Sequence, residues 1–307
     1  MKKTNSAMLM LVICMLFWGS VFPIAKTLLV NMSGTSLALC RFIIAVLSLG
    51  IYMKLSHIKL PRLALSQWVI LLLVGVFGVG GFNIALFSGL QQTSATNGAL
   101  IMSLSPIVTS LLSSVLSKKW ITKKQGISLI ISLGGVVLVI THGSLDRLIQ
   151  LNVNHGDLII VMAMLVWSSY TVFSQKLSDW TATLPYTQIT MAGGLFALLI
   201  FSLIHVENRA WQEVQILSVI GMVEVLYLGL FATVIGYLFW IQGVFALGSA
   251  KASIFFNLVP VFAALISMVF GQAIMPLQLI GMAIVLLGLT FPVWFSMVSK
   301  GIHFKRA

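Results

Sequence analysis

The sequence predicts an all-α integral membrane protein of about ten transmembrane helices, arranged as two inverted five-helix repeats. Three observations carry this expectation. Of 307 residues, 59% are hydrophobic and 8% charged, and mean hydropathy is +1.08. A soluble domain carries about 25% charged residues, so this chain could not cover itself against water. Second, the apolar residues form continuous runs of about the 20 residues that a helix needs to cross the hydrocarbon core. Third, the second set of runs repeats residues of the first. These features exclude an ordinary cytosolic enzyme, a disordered chain and a secreted disulfide scaffold. They also exclude a β-barrel, whose strands alternate over about ten residues.

In chain order the predicted spans are 8–30, 35–55, 68–90, 96–117, 124–142, 157–178, 184–205, 221–244, 249–270 and 275–297. The longest connections fall near 143–156 and 206–220, leaving no room for a soluble domain. Lys2-Lys3 before an apolar run resembles a signal peptide. The run continues past 20 residues without a clear cleavage site, so a retained first helix is expected. Cys14 and Cys40 both lie inside spans, and no structural disulfide is expected.

Net charge is +12, but the basic residues sit in short connections, which is a topology signal rather than a nucleic-acid grip. With the N-terminus inside, 14 Lys and Arg face the cytoplasm, among them Lys54, Lys118, Lys119, Lys123 and Lys124. Only Arg147 and Arg209 fall in outer loops, and Lys26 and Arg41 lie within spans. Both termini are therefore expected to be cytoplasmic.

Met15-Leu16-Phe17-Trp18-Gly19-Ser20 reads like Met164-Leu165-Val166-Trp167-Ser168-Ser169. Further on, an offset of 154 aligns Asn83 with Tyr237, Gly89 with Gly243, Ser103 with Asn257, Pro106 with Pro260 and Gly134 with Gly288. Five spans per half is odd, so the second copy enters the membrane from the other side, the layout of many secondary transporters. The expected units are residues 1–142 and 157–307, joined by an external linker at 143–156.

Several side chains are candidates for the work. Trp18 and Trp167 lie mid-span, away from the interfacial depth usual for tryptophan, and each indole N–H needs a polar partner. Packing and a cavity wall are both open readings for them. Pro106 and Pro260 sit mid-span in helices four and nine, each freeing a backbone carbonyl where irregular backbone must be packed or line a cavity. Ser103 and Asn257 lie three residues before them. Thr233, Tyr237 and Trp240 share one face of helix eight, and Asn83 matches Tyr237 in helix three. Tyr170 joins the same cavity set. Lys26, Arg41 and Glu224 are ionisable residues within spans, hence candidates for charge or energy coupling, with snorkelling and helix-end stabilisation as the structural alternatives. No Walker motif, HExxH or GxSxG is present, and the five histidines do not converge as metal ligands. Neither a cofactor nor a metal is expected.

Phe17-Trp18-Gly19-Ser20 with Lys26, Arg41-Phe42 with Ala45, Ser103-Leu104-Ser105-Pro106 and Asn257-Leu258-Val259-Pro260 together resemble the drug/metabolite transporter superfamily, in particular bacterial EamA-type exporters. The resemblance spans nearly the whole chain. It implies a central cavity lined by helices one to four and six to nine, with five and ten as buttresses. It implies Trp18, Asn83, Ser103, Trp167, Tyr237 and Asn257 as lining residues, and export of amino acids, other small metabolites or drugs. Trp167-Ser168-Ser169 lacks the glycine of the first copy. The expected function is alternating-access export of small polar or amphipathic metabolites, amino acids first, across the bacterial cytoplasmic (inner) membrane. The alternatives are multidrug export on the same fold, a membrane-embedded enzyme and a passive channel. The expected partners are a small-molecule substrate and the bilayer, with no nucleic acid; a homodimer is allowed and not required.

Overall fold

The computed structural model describes residues 2–93, 95–141, 144, 154–204, 210–269, 271 and 273–304. Among the described residues ten long helices follow one another at the places of the predicted spans, nine of them candidate membrane spans. They are α1 (Lys2–Leu28), α2 (Gly34–Leu55), α3 (Leu65–Leu90), α4 (Ala95–Met102 continued as Ser105–Ser117), α5 (Lys123–Ile140), α6 (His155–Lys176), α7 (Thr183–Ile204), α8 (Val219–Leu247), α9 (Ser249–Val269) and α10 (Pro276–Phe304). The first nine are long and apolar enough to cross a membrane, and Pro276–Phe291 of α10 is apolar as well. A six-residue helix, Ala210–Gln215, occupies the connection before α8 that the sequence left as a loop. Arg147 and Arg209, with most of the linker at 143–156, lie outside the described residues.

The burial pattern is that of a protein solvated by lipid. Large apolar side chains such as Leu47, Ile51, Leu203, Val219, Ile220 and Leu287 are exposed along the helices, while Ser128, Ser168, Thr171, Thr187 and Thr233 are fully buried. Small hydroxyl residues between helices let backbones approach and find partners without water.

The two halves exchange elements. α1 packs on α8 and α9 of the second half, and α6 packs reciprocally on α3 and α4 of the first. α2 and α7 pack on each other, and α5 pairs with α10. That last seam is close because Gly135, Gly281 and Gly288 face neighbouring backbone, and Ser128 Oγ donates to Gly288 O at 2.7 Å. The repeat extends to single contacts. Gly89 of α3 abuts Ile160 of α6, and Gly243 of α8 abuts Leu11 of α1, the residues that occupy matching places in the two copies.

Two kinds of backbone irregularity recur at matched places. α3 is π-helical over Val76–Gly81 and α8 over Leu228–Ile235. α4 is interrupted between Met102 and Ser105, and α9 tightens to a 3₁₀ turn at Phe255–Asn257. The second pair falls where Pro106 and Pro260 remove a helical donor.

Candidate functional site

The centre of the bundle is aromatic. Trp18 comes from α1, Trp167 from α6, Tyr237 and Trp240 from α8, and Phe256 from the 3₁₀ turn of α9. Trp18 lies 5.4 Å from both Trp167 and Trp240, and 5.9 Å from Tyr237 and Phe256, centroid to centroid. Trp167 stacks on Trp240 at 5.5 Å and meets Phe82 at 5.0 Å and Tyr170 at 5.6 Å. These are distances of direct aromatic contact. The predicted residues thus converge, but in this conformation ring packing fills the place where an open cavity was expected. Phe82 and Phe256, which are not among the residues expected from the sequence, complete the cluster.

The backbone irregularities put this cluster in place. A π turn widens the helix and offers carbonyls to side chains from outside. Trp18 Nε1 donates to Ala232 O at 2.9 Å, and Cys14 Sγ to Gly236 O at 3.1 Å. Gly236 leaves room for the Trp18 indole, since a Cβ there would lie 2.6 Å from Nε1. The polar partner that a mid-membrane tryptophan requires is therefore the π segment of α8.

The other predicted polar residues divide into two groups. Asn83 Nδ2 donates to Val79 O of its own helix at 2.8 Å, and Ser103 Oγ to Leu100 O at 2.6 Å. Tyr170 OH lies 3.4 Å from Thr190 Oγ1. In contrast, Trp240 Nε1, Asn257 Oδ1 and Ser105 Oγ are buried without a hydrogen-bond partner. A buried donor or acceptor left unpaired costs about 1–3 kcal/mol; Ser132 Oγ, Thr181 Oγ1 and Gln188 Oε1 are also buried without a partner.

Arg41 is buried, with 6% of its surface exposed. Its Nε donates to Thr233 Oγ1 at 3.1 Å, and Thr233 in turn donates to Leu228 O at 2.8 Å within the π segment. The remaining charged candidates lie at the helix ends. Lys26 is exposed. Glu224 Oε2 accepts from Thr27 Oγ1 at 2.9 Å and borders an apolar groove formed by Ile24, Val219, Ile220, Val223 and Tyr227, away from the ring cluster.

In addition to Glu224, a second carboxylate lies within a span. Asp157 stands in the first turn of α6 and is 5% exposed. It accepts from Thr93 Oγ1 and, at 3.2 Å, from Asn97 Nδ2, tying the start of α4 to α6. Asn154 and Asp157 also cap the helix reciprocally at 3.0 Å. The Asn154-x-x-Asp157 spacing was the available sequence signal. At the opposite end of α6, Gln175 Oε1 accepts from Ser249 N at 2.7 Å and from its hydroxyl at 2.6 Å, tying α6 to the start of α9. One helix is thus fastened at both ends to the helices that the prolines interrupt.

Comparison with known proteins agrees with this architecture. Residues 5–141 and again 154–294 match the EamA-like transporter family. The chain is 36% identical, over 89% of its length and 88% of the relative's, to the uncharacterized transporter YyaM of Bacillus subtilis. It is 24% identical, over 93% of both chains, to a protein of Streptantibioticus cattleyicolor described as a probable terminal-alkyne amino-acid exporter. A protein of solved crystal structure, 19% identical, superposes with a TM-score of 0.76 over 94% of this chain and 96% of its own. That likeness concerns the fold.

Proposed function

The chain belongs to the EamA-like transporter family and is a multi-pass membrane transporter, and from that premise we propose that it exports small amphipathic metabolites, amino acids first among them, by alternating access. The observation that carries this reading is the aromatic centre between the repeats, bordered by unpartnered polar atoms on Trp240, Asn257 and Ser105. Rings supply apolar contact, and the orphan donor and acceptors supply orientation, the composition of a small-molecule site. Two similar bundles can rock about such a site between nearly equivalent states. In that scheme the centre is occluded here, and the ties from Asp157 and Gln175 hold its two ends. The relative described as a probable terminal-alkyne amino-acid exporter supports the substrate class.

Transport runs by exchange or facilitated diffusion in this reading, because no carboxylate enters the ring cluster among the described residues. Both termini lie in the cytoplasm, on the strength of the lysine distribution. Counterflow of labelled amino acids in proteoliposomes, with and without an imposed pH gradient, tests the proposal. Expected is label accumulation against unlabelled internal amino acid, unaffected by the gradient in the parent and in Glu224→Gln. Uphill transport driven by the gradient and abolished by Glu224→Gln would make Glu224 the coupling group. Labelling of Lys119→Cys in intact cells by an impermeant reagent would reverse the orientation.

A further inference from the structure

We propose that Arg41 is the binding group for a substrate carboxylate, so that the cargo is a small amphipathic acid or amino acid held by its carboxylate at α2 and by its apolar part at the tryptophans. This deepens the transport-site reading above and rests on it. Three observations meet at this residue. Arg41 lies seven residues inside α2, about 10 Å from the start of that helix at 1.5 Å per residue, and is 6% exposed.

Among the described residues, only its Nε has a hydrogen-bond partner, Thr233, and no carboxylate lies within ion-pairing distance. The Nη1/Nη2 end of the guanidinium, with four N–H donors, has no such partner there. Desolvating a charge costs several kcal/mol unless it is paired, and intramembrane ionisable groups mark function by default.

The third observation is position. Thr233 is one turn from Tyr237 on α8. Tyr237 lies 5.9 Å from Trp18, from Trp167 and from Phe42, the residue next to Arg41 in sequence. The guanidinium therefore borders the same ring cluster. A planar fork with its outer edge free matches the two oxygens of a carboxylate end-on. The corresponding place in the second repeat, on α7, holds Thr190, whose hydroxyl pairs with Tyr170. The cation is thus on one side of the centre only, which fixes a single orientation for a head-to-tail substrate.

The purified full-length chain provides the test. Tryptophan emission is titrated with L-phenylalanine and with L-phenylalaninamide, which differ in the carboxylate. The parent should bind the acid at least about tenfold more tightly than the amide, a difference of about 1.4 kcal/mol. Arg41→Gln should remove that preference by weakening the acid while leaving the amide unchanged, and Arg41→Lys should retain part of it. Without ligand, Arg41→Gln should unfold at the same or a higher temperature, because it removes an unpaired buried charge; a purely structural arginine would show a drop.

An undiminished preference in folded Arg41→Gln, or a parent that binds the amide as tightly as the acid, overturns the assignment. Binding of the amide alone overturns it while leaving the central site in place. In that case Trp167→Ala should abolish amide binding. A parent that binds neither probe overturns it together with the aromatic-site reading.

Discussion

α3 and α8 hold matching positions in the two repeats and carry the same backbone distortion, and in each a polar side chain claims a carbonyl of the π segment, but the neighbours packed on the two segments differ. In α3 the π segment is Val76-Phe77-Gly78-Val79-Gly80-Gly81. Val79 O accepts from Asn83 Nδ2 at 2.8 Å, and the glycines admit close neighbours: a Cβ on Gly78 would lie 2.6 Å from the Tyr170 ring, and one on Gly80 2.5 Å from Ala197 Cβ and 2.9 Å from Gly194 O, both on α7. In α8 the segment is Leu228-Gly229-Leu230-Phe231-Ala232-Thr233-Val234-Ile235. Here polar side chains claim the carbonyls: Trp18 takes Ala232 O and Thr233 takes Leu228 O while accepting from Arg41. One distortion is held by Asn83 of its own helix and packs against Tyr170 of α6 and the backbone of α7. The other is wired to a tryptophan and an arginine at the centre. A shared backbone geometry therefore coexists with different neighbours, and only the α8 segment is bonded to the Trp18 indole and the Arg41 guanidinium among the described residues.

Exchanging residues between the two segments tests this difference, and the largest effect is expected on α3. Gly80→Val imports the residue that α8 carries at Val234. With no room beside α7, it should destabilise the protein by about 3 kcal/mol or more, above the usual overpacking cost, read as a lowered unfolding temperature. The reverse change, Val234→Gly, should cost nearer 1–2 kcal/mol, from helix propensity and lost apolar contact. Equal losses would erase the distinction between the segments.

Thr233→Val imports the residue of α3 at Val79. It leaves Arg41 Nε and Leu228 O without the hydroxyl and should cost about 1–3 kcal/mol, with Thr233→Ser restoring most of it. Trp18→Phe keeps a ring at the centre and removes the bond to Ala232 O. The expected loss is about 1 kcal/mol, and transport should fall less than in Trp18→Ala. The smallest effect should be at Gly126 of α5, where a Cβ meets nothing within 4 Å. Gly126→Ala should leave transport unchanged and raise stability by up to about 1 kcal/mol.

The spans, the repeat and the convergence of Trp18 with Trp167 were legible in the sequence because lipid imposes them. Each crossing must be long, apolar and helical, and a tryptophan at mid-depth must find a polar partner. For Arg41 the sequence left snorkelling and burial both open, and the structure buries it. The π segments were not legible, since Leu228–Ile235 is an unbroken apolar run in which nothing local distinguishes an i+5 turn from an i+4 turn. Asn83 and Ser103, expected at the pathway, also hydrogen-bond to carbonyls four and three residues back on their own helices, bonds that helical spacing alone does not reveal. Closure of the centre by Phe82 and Phe256 depends on how α3 and α9 meet α6 and α1, which periodicity along one helix does not encode.

The central claim is that substrate passes through the aromatic centre between the repeats. Trp167 reports on it most directly, because its ring touches Trp18, Tyr170, Tyr237, Trp240, Phe82 and Phe256. The measurement is counterflow of labelled amino acid by Trp167→Ala in proteoliposomes, scaled to the amount of folded protein, against the parent. A fall of at least about tenfold, equivalent to about 1.4 kcal/mol, is the predicted result. Counterflow at the parent rate would contradict the account and return the cluster to packing alone.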